Sequence, residues 1–173
     1  MIAVFINHQD TRERDHGDAY NPFADFVCQE LVPWIEHNYR VSREPQEHVI
    51  NGVSSGGFMA LYTARRYPRV FGLVLSQSGD FFRLKGQWLA AELAKQQRLP
   101  LSVYLEVGTF EFDYTTNLLL PNRRMRDVLI AKRYPLTYAE FSGGHDPARW
   151  RGTLGDGLLA LIGREEKTTK KTN

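Results

Sequence analysis

One cysteine, Cys28, is all this chain of 173 residues carries, which excludes an internal disulfide and fits a reducing compartment. No apolar run approaches the length that crosses a bilayer, and Met1 to Ile6 is too short for the apolar core of a signal peptide. The expected setting is therefore the cytoplasm, without membrane association. Net charge is only +2, and Lys and Arg are scattered apart from the polar tail Lys167-Thr168-Thr169-Lys170-Lys171, so nucleic acid is not an expected partner. No His or Cys pair has metal-ligand spacing with a third ligand nearby, and neither a metal nor another cofactor is expected. Gly-x-Gly-x-x-Gly is absent and no Gly-Lys-Ser/Thr occurs, which removes the dinucleotide and P-loop readings. Internal repeats and linkers are also missing. Hydrophobic content of 42% suits one soluble domain, expected over residues 1–163 with a polar tail at 164–173.

What the chain does have is the stretch Val49-Ile50-Asn51-Gly52-Val53-Ser54-Ser55-Gly56-Gly57. A short apolar strand signal runs into Gly-x-Ser-x-Gly, and a helical pattern follows at once in Phe58, Met59, Leu61, Tyr62 and Ala64. A serine that projects as a nucleophile needs a sharp, strained strand-to-helix turn, and small residues two places either side let neighbouring backbone approach it. The helix behind it aims free N–H groups and a positive dipole end at charge developing on a substrate oxygen. The bland alternative is a glycine-rich strand–helix loop of the kind α/β proteins use widely. The apolar strand before it and the helix after it favour the nucleophile elbow.

Taken in order, the pattern predicts strands at Ile2–Ile6, Val49–Val53, Phe71–Leu75, Leu101–Val107 and Leu136–Phe141. Continuous apolar runs suit strands covered on both faces. Helices are expected from Asn21-Pro22 onward (Asn21 as N-cap, Pro33 as an internal kink), after the elbow to Tyr67-Pro68, and over Leu84–Ala94, Leu118–Ala131 and Ala148–Ile162. His8 to Tyr20 and Arg40 to Glu47 read as polar connectors. Cys28 falls in an amphipathic helical pattern, where a buried filler role is expected. Strands alternating with helices imply an α/β fold with a mostly parallel sheet covered on both faces, whose site lies at the carboxyl ends of the strands.

Two further segments meet that edge. Gly108-Thr109-Phe110-Glu111-Phe112-Asp113 follows the fourth strand, and Ser142-Gly143-Gly144-His145-Asp146 follows the fifth. Serine, acid and histidine thus occur in the chain order of the α/β-hydrolase arrangement. In that chemistry His145 takes the proton of Ser54, and a carboxylate fixes the imidazole tautomer and stabilises its cation. Glu111 is the preferred acid, with Asp113 and Asp80 as alternatives. His8, His16, His37 and His48 read as solvated or helix-surface residues. Arg12, Arg14, Arg123 and Arg124 are either solvated or the lining of a pocket for an anionic substrate, the solvated reading preferred. Trp88 and Trp150 either wall an aromatic acyl pocket or pack in the core, and core packing is the preferred reading.

Gly52-Val53-Ser54-Ser55-Gly56-Gly57 with Tyr67-Pro68-Arg69-Val70-Phe71-Gly72-Leu73-Val74-Leu75-Ser76-Gln77-Ser78-Gly79 resembles the esterase D-type esterases, within the α/β-hydrolase superfamily. Glu30-Leu31-Val32-Pro33-Trp34, Val107-Gly108-Thr109-Phe110-Glu111 and Gly143-Gly144-His145-Asp146 with Trp150 carry the same resemblance, closest to enterochelin (siderophore) esterases and related feruloyl esterases. It spans Ile2 to about Ile162. The resemblance implies an ester hydrolase acting on a small-molecule ester, with Ser54 as nucleophile, His145 as base, Glu111 as acid and the N–H of Ser55 in the oxyanion hole. It also implies strands that precede Ile2–Ile6 in the family, one of which would lie between that strand and Val49–Val53 and donate the second oxyanion N–H. Their absence from this chain leads to three expectations: self-association through the open sheet, a rearranged N-terminal half, or a truncated gene product. Alternatives to the hydrolase are a catalytically weak or silent member and an acyltransferase using the same nucleophile.

Overall fold

The computed structural model describes residues 2–6, 20–82, 88–111 and 117–163. Four strands form one parallel sheet in the order β1 (Val49–Val53), β2 (Leu73–Gln77), β3 (Ser102–Gly108) and β4 (Leu136–Phe141). Each pair is parallel, with Val53 beside Gln77 and Gln77 beside Glu106 in register. All four chains therefore leave the sheet at the same edge. The two inner strands are buried almost throughout: Leu73, Val74, Leu75, Val103 and Leu105 are covered on both faces of the sheet, and the polar Ser76, Gln77 and Glu106 are buried toward its carboxyl edge.

Helices α1 (Tyr20–Phe26) and α2 (Val32–Asn38) are joined by a π-helical turn, Val27–Leu31. Pro33 offers no N–H to the turn before it, and the chain widens there: the N–H of Val32 reaches back five residues to Val27 O. Helix α3 (Ser55–Arg66) packs on β1 and β2, α5 (Leu119–Ala131) on β3, β4 and α4 (Trp88–Lys95), and α6 (Pro147–Ile162) on β2 and β3. Phe58, Leu61, Leu89, Leu93, Met125 and Leu129 are essentially sealed from solvent between α3, α4, α5 and the sheet. Each such side chain stabilises the fold by about 1.5–3 kcal/mol. Cys28 lies in this core, and burial, reinforced by the Asp25 carboxylate, pushes its thiol up to about 12.

Several expectations need correction. Ile2–Ile6 is not a strand: Phe5 is 90% exposed, and the segment pairs with nothing in the sheet. An apolar run satisfies its backbone as a strand only beside a partner, and none of the described residues provides one. The sheet consequently has four strands among the described residues where five were expected, and no described strand pairs with the outer edge of β1. Strand β2 begins at Leu73 because the N–H of Phe71 turns back to Tyr67 O and that of Gly72 is taken by Pro45 O. Asn21 is not an N-cap. The helix already runs at Tyr20, and the Asn21 side chain accepts instead from the hydroxyl of Tyr62. Residues 83–87, 7–19 and 164–173, which include the start of the expected Leu84–Ala94 helix, most of the His8–Tyr20 loop and the tail, lie outside the described residues.

Candidate active site

Ser54 stands between β1 and α3 with φ 56 and ψ −123, a backbone conformation that L-residues enter only under strain. Its turn is held on three sides. The N–H of Ser54 donates to Gln77 O at 2.9 Å, and Ser54 O accepts from the N–H groups of Gly57, Phe58 and Asp80. The glycines of the motif differ in purpose. A Cβ on Gly52 would sit 2.2 Å from Gly56 O, so that position must be glycine for the turn to close, whereas a Cβ on Gly56 would meet nothing within 4 Å. No backbone acceptor among the described residues takes the N–H groups of Ser55 or Gly56. They are the free donors at the N-terminus of α3.

Glu111, just past β3, is buried. Its Oε1 accepts the N–H of Gly108 at 2.8 Å and the hydroxyl of Ser78 at 2.5 Å. Its Oε2 lies 2.7 Å from His145 Nδ1. With Nδ1–H donated to the acid, Nε2 is left as the acceptor that a base needs. Gly108 makes the loop crossing possible, since a Cβ there would sit 2.3 Å from Gly143 O in the segment that carries His145. Trp150, at the start of α6, meets the His145 ring edge-on with centroids 4.6 Å apart. No hydrogen bond joins Ser54 to His145 among the described residues.

Asp80 lies by the elbow through its backbone N–H, Asp113 lies outside the described residues, and Glu111 holds the bond to His145. His37 is exposed. His48 is not the solvated residue expected: it is half-buried, with Nδ1 2.9 Å from Val70 O and Nε2 2.7 Å from Ser42 O. The two carbonyls come from loops that close only on folding, which the local sequence does not reveal. Arg123 is committed to Glu140 at 2.7 and 2.8 Å and Arg124 is exposed, while Arg12, Arg14, His8 and His16 lie outside the described residues. Trp88 packs edge-on against Phe58 and Tyr62 in the core. Sequence reading missed Ser78, which lies in the quoted Ser-Gln-Ser-Gly segment at φ 52 and bridges Glu111 to Trp150. No helix of the described residues is long and apolar enough to cross a membrane, and no cluster of three His, Cys, Asp or Glu among them could hold a metal.

The model of the family described as "Putative esterase" matches residues 6–161, most of the chain and every residue of this site. The chain belongs to this esterase family. The iron(III) enterobactin esterase of Escherichia coli K12 is 32% identical over 170 residues, covering 92% of this chain and 41% of its own length. The enzyme of the same name from Dickeya dadantii is 32% identical over 152 residues, 79% of this chain and 34% of its own. This member of the esterase family thus spans less than half the length of these curated relatives. Among solved structures, the Shigella flexneri enterobactin esterase in the presence of enterobactin superposes with a TM-score of 0.77 at 31% identity, covering 90% of this chain and 41% of that one. A ferulic acid esterase at 21% identity and TM-score 0.63 shares the fold.

Proposed function

We propose that this esterase-family chain hydrolyses a carboxylic ester of a small molecule. Ser54 attacks the carbonyl, His145 takes its proton and passes it to the leaving alcohol, and Glu111 holds the imidazole. The N–H of Ser55 receives the developing oxyanion, and water then clears the acyl-enzyme. The observation that carries this reading is the strained Ser54 at the strand edge that also presents His145, with its Nδ1 bound to a buried acid. The curated enterobactin esterases point to an ester of an aromatic siderophore as the substrate class to try first. The lone buried cysteine suits a reducing cytoplasm. Measured hydrolysis of a small aryl ester tests the reading: activity lost in Ser54→Ala with the fold retained supports it, and activity that survives this change refutes it.

A second reading, a catalytically weak member, draws on the outer edge of β1, with which no described strand pairs, and the Ile2–Ile6 segment lying outside the sheet. Beyond the N–H groups at the N-terminus of α3, no oxyanion donor from a second loop is identified among the described residues, and loss of one such donor typically lowers kcat by ~10²–10³. The same edge, with Val53 37% exposed, is where we place self-association between copies. Sedimentation velocity checks this: a dimer that Val53→Lys converts to monomer supports it, and a monomer at every concentration contradicts it.

A further inference from the structure

We propose that Ser78 and Trp150 are positioning residues for His145, acting together as one closed ring of four side chains. This inference rests on the reading of His145 as the base. The ring runs from Trp150 Nε1–H to Ser78 Oγ at 2.9 Å, from Ser78 Oγ–H to Glu111 Oε1 at 2.5 Å, and from Glu111 Oε2 to His145 Nδ1 at 2.7 Å. It closes where the His145 ring meets the Trp150 ring edge-on, centroids 4.6 Å apart and planes at 83°.

Donor counting fixes the direction of each bond. An indole N–H can only donate, so Ser78 Oγ accepts from Trp150 and has a single proton to give, which goes to Glu111. Glu111 Oε1 is then occupied by Ser78 and Gly108, and Oε2 faces the imidazole. Ser78 is fully buried and sits at φ 52, where glycine would be free of strain. Serine there accepts the strain and supplies the bridging hydroxyl.

Trp150 is itself held from behind. Its carbonyl accepts from Gln77 Nε2 at 2.8 Å, and Gln77 Nε2 and Thr153 Oγ1 both donate to Glu106 Oε1, at 2.8 and 2.6 Å. Glu106 is 1% exposed, so a buried carboxylate on β3 ties down the turn of α6 that carries the indole. His145, by contrast, lies on a loop beside Gly143 and Gly144 with 41% of its side chain exposed. Glu111 fixes one ring nitrogen, and the Trp150 edge fixes the plane of the ring.

The test follows the Nδ1–H proton of His145 by NMR on the full chain at low temperature, with His145→Ala to assign it. An imidazole N–H shared with a buried carboxylate gives a far-downfield signal, which a merely structural role for Ser78 or Trp150 would leave in place. The variants are Ser78→Ala, Trp150→Phe and the double, with Ser78→Gly as a second, strain-free removal of the hydroxyl. The ring predicts that each folded variant shifts or broadens the signal. It also predicts that each lowers kcat on p-nitrophenyl acetate by about 10–100-fold, the value of a hydrogen bond to a charged group, with KM little changed. The double variant should lie within about three-fold of the worse single, because either change opens the same ring. An unchanged signal in folded Ser78→Gly and Trp150→Phe, losses that multiply, or a wild-type protein without the signal would each overturn it. A wild type that shows the signal and its loss in the variants, yet hydrolyses nothing, would overturn the esterase reading and leave the ring standing.

Discussion

Glu111 Oε2 lies 2.7 Å from Nδ1 of His145, although 34 positions separate them in the chain. The acid's side chain is 1% exposed and the imidazole's 41%, so the pair runs from the interior outward to the edge where Ser54 sits. Under the proposed mechanism this arrangement suits a base, with one ring nitrogen anchored in the protein and the other left free to take a proton.

Replacement of Glu111 by Gln tests the anchoring. The new amide would keep its oxygen on the Gly108 N–H and turn its NH₂ toward His145, making Nδ1 an acceptor and placing the proton on Nε2. An imidazole in that tautomer cannot take the proton of Ser54. Steady-state kinetics on an aryl ester should show kcat reduced by about 10³–10⁴-fold with KM little affected. A loss under about ten-fold would assign the acid's role elsewhere, with Asp80 the next variant to make.

The motif's glycines should respond unequally. Gly52→Ala forces a Cβ to 2.2 Å from Gly56 O, a backbone atom that cannot rotate away, while Gly56→Ala meets nothing. Overpacking of this kind costs at least the upper part of about 1–3 kcal/mol, and each kcal/mol lowers Tm by about 2–4 °C in a chain of this size. Thermal denaturation should therefore separate the two variants clearly. Equal melting points would contradict the close approach of Gly52 and Gly56.

Acid stability should reveal the pairing of β4 with α5. The Arg123 guanidinium beside Glu140, helped by the Tyr138 hydroxyl, holds the Glu140 carboxyl down at about 2. In the unfolded chain it titrates near 4.5. The folded state is thus favoured by the ionised form above about pH 4.5, and that contribution drains away as pH falls toward about 2. Glu140→Gln should melt lower than the parent at neutral pH, and the difference should close on approach to pH 2. A difference that stays constant over this range would contradict the pairing.

Cys28 should be silent in the native protein. With its thiol raised to about 12 by burial, a disulfide reagent at pH 8 meets almost no thiolate and no open path. Reaction should follow unfolding by urea. Rapid native-state labelling would show that α1 and the π-helical turn open away from α3.

Much of this architecture was legible in the sequence, because it rests on local signals. Val49–Val53 and Leu136–Phe141 form strands over the predicted residues, and Pro33 disturbs its helix as expected. The Glu111–His145 contact was reachable because both follow strands that a parallel sheet brings to one edge. Ile2–Ile6 failed for a physical reason: its apolar character is local, but pairing needs a neighbour strand, and periodicity says nothing about one. Ser78 and His48 were not legible either. Their partners, Glu111 and Trp150 for one and the carbonyls of Ser42 and Val70 for the other, meet them only in the folded chain.

Whether Ser54 and His145 form a working site is read by intact-protein and peptide mass spectrometry after treatment with a fluorophosphonate. One adduct per chain is expected, on Ser54, lost in His145→Ala and slowed in Glu111→Gln. A folded protein that takes no adduct, or takes it at a residue other than Ser54, would contradict the assignment of this strand edge as a working esterase site.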